Sequence, residues 1–209
     1  MDLPKNFAYQ KPRGRPASIK DLFTFKVNPV THPNRPGWEL AMDVNVSYHN
    51  GLLAQQYSPE SNKEQVDKFF RDFFTVDQDE LARFPVDVQN FVVGWRTYYV
   101  RLSQDTVTGG HFHRLKKEIL TVVDGELMIK FEDIYGNKKE QRLNKYNGTI
   151  TLPFISHEIV GIAPNSILKV IANTAYDPND QRTQDTWISQ GKEKNFLQLQ
   201  KENLRQNSE

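Results

Sequence analysis

The sequence predicts an all-β sandwich or barrel in the part of the chain that follows Val86. Short runs rich in β-branched and aromatic residues recur there at roughly even spacing, and turn-forming residues separate them. The stretch Asp133-Ile-Tyr-Gly-Asn137 is typical of a hairpin turn between two such runs. Many short strands joined by regular turns are typical of sandwiches and barrels. The predicted strand regions are 91–102, 118–123, 126–133, 139–143, 148–152, 158–162 and 167–173.

The composition fits one large packed domain, since 37% of the 209 residues are apolar and 13 are Phe. The chain has 27 basic and 26 acidic residues, and a net charge of +1 gives no electrostatic reason to bind nucleic acid. No apolar run approaches the ~18 residues of a membrane-spanning helix. The absence of cysteine excludes disulfides, thiolate metal sites and a cysteine nucleophile. Because the first residues lack the apolar core of a secretory signal, we expect a cytoplasmic protein.

Residues 1–85 are expected to form an N-terminal extension that consists of a proline-rich arm, a strand and a helix. Val44 and Val46 alternate with polar residues, as in a half-buried strand. Ser58-Pro59-Glu60 has the composition of a helix start, and phenylalanines follow it at helical spacing. The elements expected here are a short piece near 19–27, a strand over 39–48, an amphipathic helix near 59–75 and a short turn of helix within 77–84.

The end of the chain is expected to be helical. We predict a barrel over residues 86–182 and a C-terminal helical tail over 183–209. Within the tail, residues 186–205 offer apolar side chains for docking and a polar face rich in Gln and Lys.

Chemically active side chains are densest in residues 109–125. His111 and His113 are two residues apart, so on a strand they would point to the same face. Glu118 follows them closely, and His157 comes later in the chain. Imidazoles and a carboxylate suit a divalent metal such as Zn, Fe, Mn, Ni or Co. Without a metal, the same side chains can act as acid-base catalysts, because histidine titrates near neutrality.

These residues resemble the motifs of the cupin superfamily. The stretch His111-x-His113-x4-Glu118-x6-Gly125 resembles the first cupin motif. The stretch Gly148-Thr-Ile-Thr-Leu-Pro153-Phe-Ile-Ser-His157 resembles a shortened form of the second. The resemblance implies a double-stranded β-helix, the RmlC-like jelly roll, over about residues 86–176. It also implies that the two motifs direct their histidines and Glu118 into the barrel mouth. In this chain Asp105 stands where the first motif begins with Gly, and Gly161 stands where the second ends with Asn.

Among cupins, the flanking residues are most similar to the WxcM-like sugar-nucleotide 3,4-ketoisomerase group. That group has an Arg-x-aromatic-aromatic strand, a Gly-x-His-Ala-His-Lys element, a Pro-x3-His-Glu element and a Tyr-Asp-x-x-Asp segment followed by Arg. The similar stretches here are Arg96-Thr-Tyr98-Tyr99, Gly109-Gly-His111-Phe-His113-Arg114, Pro153-Phe-Ile-Ser-His157-Glu158 and Tyr176-Asp-Pro-Asn-Asp180-Gln-Arg182. Thr108 replaces an Arg that is common in the group, and Glu118 stands where its metal-free members often have Gln.

The resemblance implies an enzyme that moves protons next to the carbonyl group of a nucleotide-linked keto-deoxysugar, without a required cofactor. His111 and His113 would be the acid-base pair, and Tyr98 or Tyr99 a phenolic donor. Arg96 would steady an enolate or diphosphate oxygen. The residues expected to bind substrate are Arg114, His157 and Glu158.

Two other functions are compatible with the same residues. One is a metal-dependent cupin, a dioxygenase or a metal-assisted isomerase, with His111, His113, Glu118 and His157 as ligands. The other is a non-catalytic cupin that binds a sugar or effector. In every case we expect a small-molecule ligand, no nucleic acid, no membrane and a homodimer, because edge strands of small barrels often pair between subunits.

Overall fold

The structure, a computed structural model, describes residues 16–31, 39–48, 71–189 and 199–201. Two antiparallel sheets pack face to face in a jelly roll, so the predicted all-β core is confirmed. The strands are β1 (Phe23–Thr31), β2 (Glu39–Tyr48), β3 (Arg96–Leu102), β4 (Val107–Phe112), β5 (Glu118–Asp124), β6 (Leu127–Asp133), β7 (Lys138–Leu143), β8 (Asn147–Thr151), β9 (Ile155–Gly161), β10 (Ser166–Ala172) and β11 (Trp187–Ile188).

The first sheet has the strand order β2-β1-β8-β5-β10-β3, and the second has the order β11-β4-β9-β6-β7. The strand predicted over residues 39–48 is confirmed as β2, and it pairs with β1. β1 also pairs with β8, so both N-terminal strands extend the first sheet of the barrel. The predicted domain boundaries at residues 85 and 182 stay predictions.

Two short α-helices precede β3. They are α1 (Gln78–Leu81), which confirms the predicted turn of helix, and α2 (Val86–Val92). Short 3₁₀ helices cover Ile19–Asp21 and Gln181–Thr183, and residues 71–74 and 199–201 are helical. No helix of the described residues is long and apolar enough to cross a membrane. The predicted helix near 59–75 lies outside the described residues except for its last part.

Two predictions of secondary structure are wrong. The strand predicted over residues 91–102 begins only at Arg96, and residues 91–92 end α2, because Val88 and Val92 share one helical face and are buried against Leu115. Trp187–Ile188 form β11 instead of part of a helix, since their backbone pairs with the edge strand β4. The Trp187 ring also stacks on Phe112. The rest of the predicted tail helix, except residues 199–201, lies outside the described residues.

The barrel core lies between the two sheets. Alternate residues of β5, β6, β9 and β10 point inward, as the two-residue period of a strand requires. Together with Leu22, with Leu102 of β3 and with Leu143 of β7, these inward residues form one apolar cluster, whose other members are Leu120, Val122, Leu127, Ile129, Phe131, Ile155, Ile159, Leu168 and Val170.

The departures from the cupin motifs at Asp105 and Gly161 lie side by side. The backbone of Asp105 has φ 60°, in the left-handed region where Gly is common and Asp is tolerated. Its N–H donates to the carbonyl oxygen of Gly161 at 2.9 Å. A Cβ on Gly161 would lie 2.2 Å from the carbonyl oxygen of Ser103. Glycine at position 161 therefore permits this close approach.

Replacing Gly161 by alanine should lower the free energy of unfolding by about 1–3 kcal/mol, because the added methyl group overpacks a backbone contact. Gly94→Ala is the matched control. Its Cβ would meet other atoms only at 3.0 and 3.2 Å, so a smaller loss is expected. Urea unfolding measures both, and an equal or larger loss in Gly94→Ala would contradict the prediction.

Candidate active site

The candidate site continues the apolar core between the sheets. On β5, Glu118 shares the inner face with Leu120 and Val122. On β9, His157 stands between the core residues Ile155 and Ile159 on the same face. Strand periodicity therefore carries two ionisable side chains into the interior, where unpaired charge is costly.

Three histidines meet at this place, as the sequence predicts. The ring centroids are 4.8 Å apart for His111 and His113, and 4.7 Å apart for His111 and His157. His113 and His157 are buried, whereas His111 is partly exposed. The pairing of β4 with β9 shifts its register between Gly109 and His111. A Cβ on Gly109 would lie 2.7 Å from the carbonyl oxygen of His157, so glycine allows the two strands to approach each other closely here.

Glu118 is 2% exposed and lies at the centre of the cluster. Its Oε1 accepts a hydrogen bond from the Tyr98 hydroxyl at 3.0 Å and lies 2.8 Å from the Lys116 ammonium. Its Oε2 lies 3.6 Å from Nε2 of His113 and 3.5 Å from Nε2 of His157. The carboxylate thus joins side chains from both sheets.

The tautomer of His113 is set by a backbone contact. Its Nδ1 makes a short contact with the carbonyl oxygen of Asp185. Because a carbonyl oxygen can only accept, Nδ1 carries the hydrogen, and Nε2 of the neutral ring keeps a lone pair. This Nε2 is buried and has no hydrogen-bond partner among the described residues. It is therefore available as a base or as a metal ligand.

The Asp185 side chain holds the loop that carries His113 and Lys116. Its carboxylate accepts hydrogen bonds from the backbone N–H groups of Arg114 at 3.1 Å, Leu115 at 2.8 Å and Lys116 at 2.7 Å. One buried side chain therefore fixes three consecutive peptide units between β4 and β5.

Burial and neighbouring charges separate the pKa values of the cluster. Burial lowers the pKa of His111 to about 2 and that of His157 to about 4. Burial alone would raise the pKa of Glu118, but the charge of the neighbouring Lys116 ammonium outweighs burial and holds that pKa well below its ordinary value. Burial, together with the charge of Glu118, raises the pKa of Tyr98. Near neutral pH, Glu118 is ionised, Tyr98 is protonated, and His111 and His157 are neutral.

Arg96 lies beside this cluster at the start of β3. Its guanidinium carbon lies 4.7 Å from the ring centroid of Tyr98 and 5.1 Å from that of Tyr176. Its Nε is buried and has no hydrogen-bond partner among the described residues. A cation held between two aromatic rings with an unused donor suits an anionic ligand.

The other predicted site residues lie away from the histidines. Tyr99 is 62% exposed on the opposite face of β3. Glu158 points away from His157 along β9 and pairs with Lys130 at 3.2 Å. The Arg114 side chain is buried, bonds Glu80 at 2.9 Å and lies over the rings of Phe154 and Trp187. The structure thus does not bring Tyr99, Arg114 and Glu158 to the cluster, and their roles stay predictions.

Sequence reasoning missed four contributors to the site. Lys116 and Asp185 are described above, Thr151 approaches Oε2 of Glu118 at 3.5 Å, and Tyr176 covers Arg96. Lys116 had a usable signal, since it precedes Glu118 by two residues and extended chain would direct both to one face. The contacts of the Asp185 carbonyl and carboxylate groups with residues 113–116 form only in the folded chain, and no local sequence pattern predicts them.

The donor set fits a metal ion only in part. The ligand atoms of His111, His113 and His157 all lie within 4.8 Å of one another, which suits a three-imidazole centre. Glu118, the fourth predicted ligand, does not fit as it stands, because the Lys116 ammonium already balances its charge at 2.8 Å. A four-ligand metal site therefore stays a prediction.

Comparison with known proteins agrees with the resemblance to the WxcM-like proteins. A family model described as "FdtA: WxcM-like, C-terminal" matches residues 87–192, which is half of the chain. No curated protein matches the chain at a significant level.

Several solved structures are similar to this chain over part or most of its length. The sugar 3,4-ketoisomerase QdtA from Thermoanaerobacterium thermosaccharolyticum, in complex with TDP, is 14% identical with a TM-score of 0.48, and 90% of this chain and 98% of that chain are covered. A 3,4-ketoisomerase from Helicobacter canadensis is 23% identical with a TM-score of 0.42, over 51% of this chain and 74% of that one.

A third similar structure is dTDP-4-dehydrorhamnose 3,5-epimerase from Elizabethkingia anophelis NUHP1. It is 10% identical to this chain, with a TM-score of 0.37 and coverage of 40% of this chain. The match spans 52% of the length of the epimerase, about half of that protein.

The lowered pKa values of His111 and His157 predict that the free energy of unfolding decreases in mild acid. The ordinary pKa of histidine is 6.5, and in the folded protein the pKa falls to about 4 for His157 and about 2 for His111. Below pH 6.5 the unfolded state therefore binds protons that the folded state does not. The stability present above pH 6.5 should be lost progressively as the pH falls towards 4, with Glu118 contributing only below its ordinary value of 4.5.

Urea unfolding between pH 7.5 and pH 4.5, at about half-unit steps, checks this prediction. The variant His157→Gln should show a shallower decline than the unchanged chain, because one proton-binding difference between the two states is removed. A free energy of unfolding that stays constant between pH 6.5 and pH 4.5 would contradict it.

Proposed function

This chain belongs to the WxcM-like family through residues 87–192, and we propose that it is an isomerase of nucleotide-linked keto-deoxysugars. The observation that supports this most directly is the state of His113. Its Nδ1 hydrogen is held by the Asp185 carbonyl oxygen, and its buried Nε2 has a free lone pair. A ring fixed in this way is suited to accept a proton from carbon.

The reaction moves two hydrogens and leaves the atom count unchanged. In a 4-keto sugar, a base removes the proton on C3, the C–H electrons form a C3=C4 double bond, and the carbonyl oxygen O4 becomes an enolate. A proton is then returned to C4, and the hydroxyl hydrogen of O3 passes to O4, so that a carbonyl group forms at C3 and O4 becomes a hydroxyl group. Because the carbon skeleton is neither oxidised nor reduced overall, no redox cofactor is required.

His113 and His111 are the proposed acid-base pair. Their ring centroids are 4.8 Å apart, so both rings can reach neighbouring carbons of one sugar ring. Near neutral pH His111 is neutral, because burial holds its pKa at about 2, so it returns a proton only after taking one up from the substrate or from His113 during the reaction. His113 is therefore assigned as the base and His111 as the group that returns the proton.

Tyr98 and Arg96 are proposed to stabilise negative charge. The raised pKa of Tyr98 keeps its hydroxyl protonated, so it can donate a hydrogen bond to the enolate oxygen as well as to Glu118. Arg96 has an unused Nε donor beside Tyr98, and a guanidinium group matches the geometry of a phosphate. We assign Arg96 to the diphosphate of the nucleotide.

The three-imidazole arrangement favours a second candidate, a metal-dependent cupin. A bound divalent metal would supply a Lewis acid for a substrate oxygen, and His111, His113 and His157 would hold it. Elemental analysis of the protein after expression in metal-replete medium tests this candidate. A metal content near zero would count against it, and one equivalent per chain would support it. The homodimer and the cytoplasmic location remain predictions.

His113→Ala should lower turnover of TDP-4-keto-6-deoxyglucose, a sugar that QdtA binds, by about 10²- to 10⁴-fold. The reason is that the variant lacks the lone pair that accepts the C3 proton. Proton NMR in D₂O measures both the conversion and the wash-in of deuterium at the sugar carbons. The unchanged chain should show both.

TDP binding, followed by calorimetry, is the control for His113→Ala and should persist. Loss of TDP binding with intact residual turnover would contradict the assignment. Tight binding of the sugar by the unchanged chain, without conversion or deuterium wash-in, would instead favour the non-catalytic cupin.

Arg96→Lys should weaken TDP binding by about 10- to 100-fold, in line with the ~1.5–3 kcal/mol of a charge-assisted hydrogen bond. Lysine keeps the charge but loses the planar fork and the unused Nε donor. Arg101→Lys is the matched control, because Arg101 lies exposed on the outer face of the same strand. Equal TDP affinities of the two variants in calorimetry would refute the role of Arg96.

A further inference from the structure

We infer that the Lys116 ammonium occupies the electrostatic position of a metal ion at Glu118, so that the chain contains a latent four-ligand metal centre that Lys116 keeps closed. This inference concerns the site of the proposed function but does not need the proposed reaction. It is tested through metal binding, so that either proposal can fail without the other.

The contacts of Glu118 divide between its two oxygens. Oε1 is taken by Lys116 at 2.8 Å and by the Tyr98 hydroxyl at 3.0 Å. Oε2 faces the Nε2 atoms of His113 and His157 at 3.6 and 3.5 Å. The carboxylate therefore stands between one internal cation and the group of imidazoles that could hold a metal.

Lys116 is held in this position by its surroundings. Its side chain is 6% exposed, so little water reaches the ammonium, and Glu118 is its charged partner at 2.8 Å. Its backbone N–H donates to the Asp185 carboxylate at 2.7 Å, and the preceding N–H of Leu115 donates to the same oxygen at 2.8 Å. A buried lysine needs a paired carboxylate as much as a buried glutamate needs a cation.

Charge balance explains why this arrangement opposes a metal. With Lys116 present, Glu118 and Lys116 sum to zero, and a divalent ion would add two uncompensated positive charges to a buried site. With Lys116 replaced by a neutral residue, the same ion would meet the net negative charge of Glu118 and three neutral donors. Mixed imidazole and carboxylate sets of this kind bind divalent metals well.

The adjacent lysine provides a matched control. Lys117 is the next residue, but its Nζ donates to the carbonyl oxygens of Asp72 and Thr75, the latter at 2.9 Å. Replacing Lys117 therefore removes one positive charge from the same loop without changing the partners of Glu118.

The experiment is calorimetric titration of the full chain with Zn²⁺. Lys116→Met should bind one Zn²⁺ about 10- to 100-fold more tightly than the unchanged chain, which is the range over which partners of metal ligands usually act. Lys117→Met should match the unchanged chain, and so should Lys116→Arg, which keeps the cation. The double variant Lys116→Met with Glu118→Gln should lose the gain, because the fourth ligand is then neutral.

Three results would overturn the inference: equal Zn²⁺ affinity in Lys116→Met and the unchanged chain, a similar gain in Lys117→Met, or a gain that survives Glu118→Gln. Thermal unfolding verifies that each variant is folded. If Lys116→Met does not fold, Lys116→Gln removes the charge while keeping a polar group near Glu118, and the same comparisons apply to it. Turnover of the sugar plays no part in any of these outcomes.

Discussion

The site depends on one constraint, the burial of the Glu118 carboxylate between two apolar sheets. A charge that is 2% exposed persists only with paired partners, and the structure supplies an ammonium, a phenol and two imidazoles around it. These partners come from β3, from β9 and from the loop between β4 and β5. Satisfying a single carboxylate therefore fixes how the two sheets meet at this end of the barrel, and brings the histidines to their places.

The loop between β4 and β5 is fixed by a residue from the far end of the described chain. Asp185 accepts three consecutive backbone N–H groups, and its carbonyl oxygen orients His113. The adjacent strand β11 secures Asp185, because Trp187 and Ile188 pair with Phe112 and His111. Reactive groups are most effective when surrounding contacts fix their geometry, and here backbone hydrogen bonds do so. Backbone hydrogen bonds therefore hold the chain on both sides of His113.

The sequence predicted the features that depend on local periodicity, and it did not predict the contacts that depend on residues distant in the chain. Alternation located β5 and β6, and the spacing of His111, His113, Glu118 and His157 predicted a cluster that the structure does assemble. The apolar residues 91–92 were predicted to begin a strand, because a short apolar run does not by itself distinguish a strand from a buried helix. Packing of Val88 and Val92 against Leu115 favours the helix α2. The contact of Arg114 with Glu80 was not predictable, because the two residues lie 34 positions apart in the chain and no local pattern connects them. The pairing of Lys116 with Glu118 was closer to being predictable, since an interval of two residues places both on one side of extended chain.

Neutral imidazoles do not distinguish proton transfer from metal binding, because both need the same lone pair on His113, His157 or His111. The discriminating group is the cation next to Glu118. An ammonium there holds the carboxylate ionised and fully paired, so the carboxylate positions Tyr98 and the histidines without acting as a ligand. The same ammonium makes a second, divalent charge unfavourable in the same buried volume. The presence of Lys116 two residues before Glu118 therefore favours proton transfer by the histidines, on electrostatic grounds that do not depend on which sugar the protein binds.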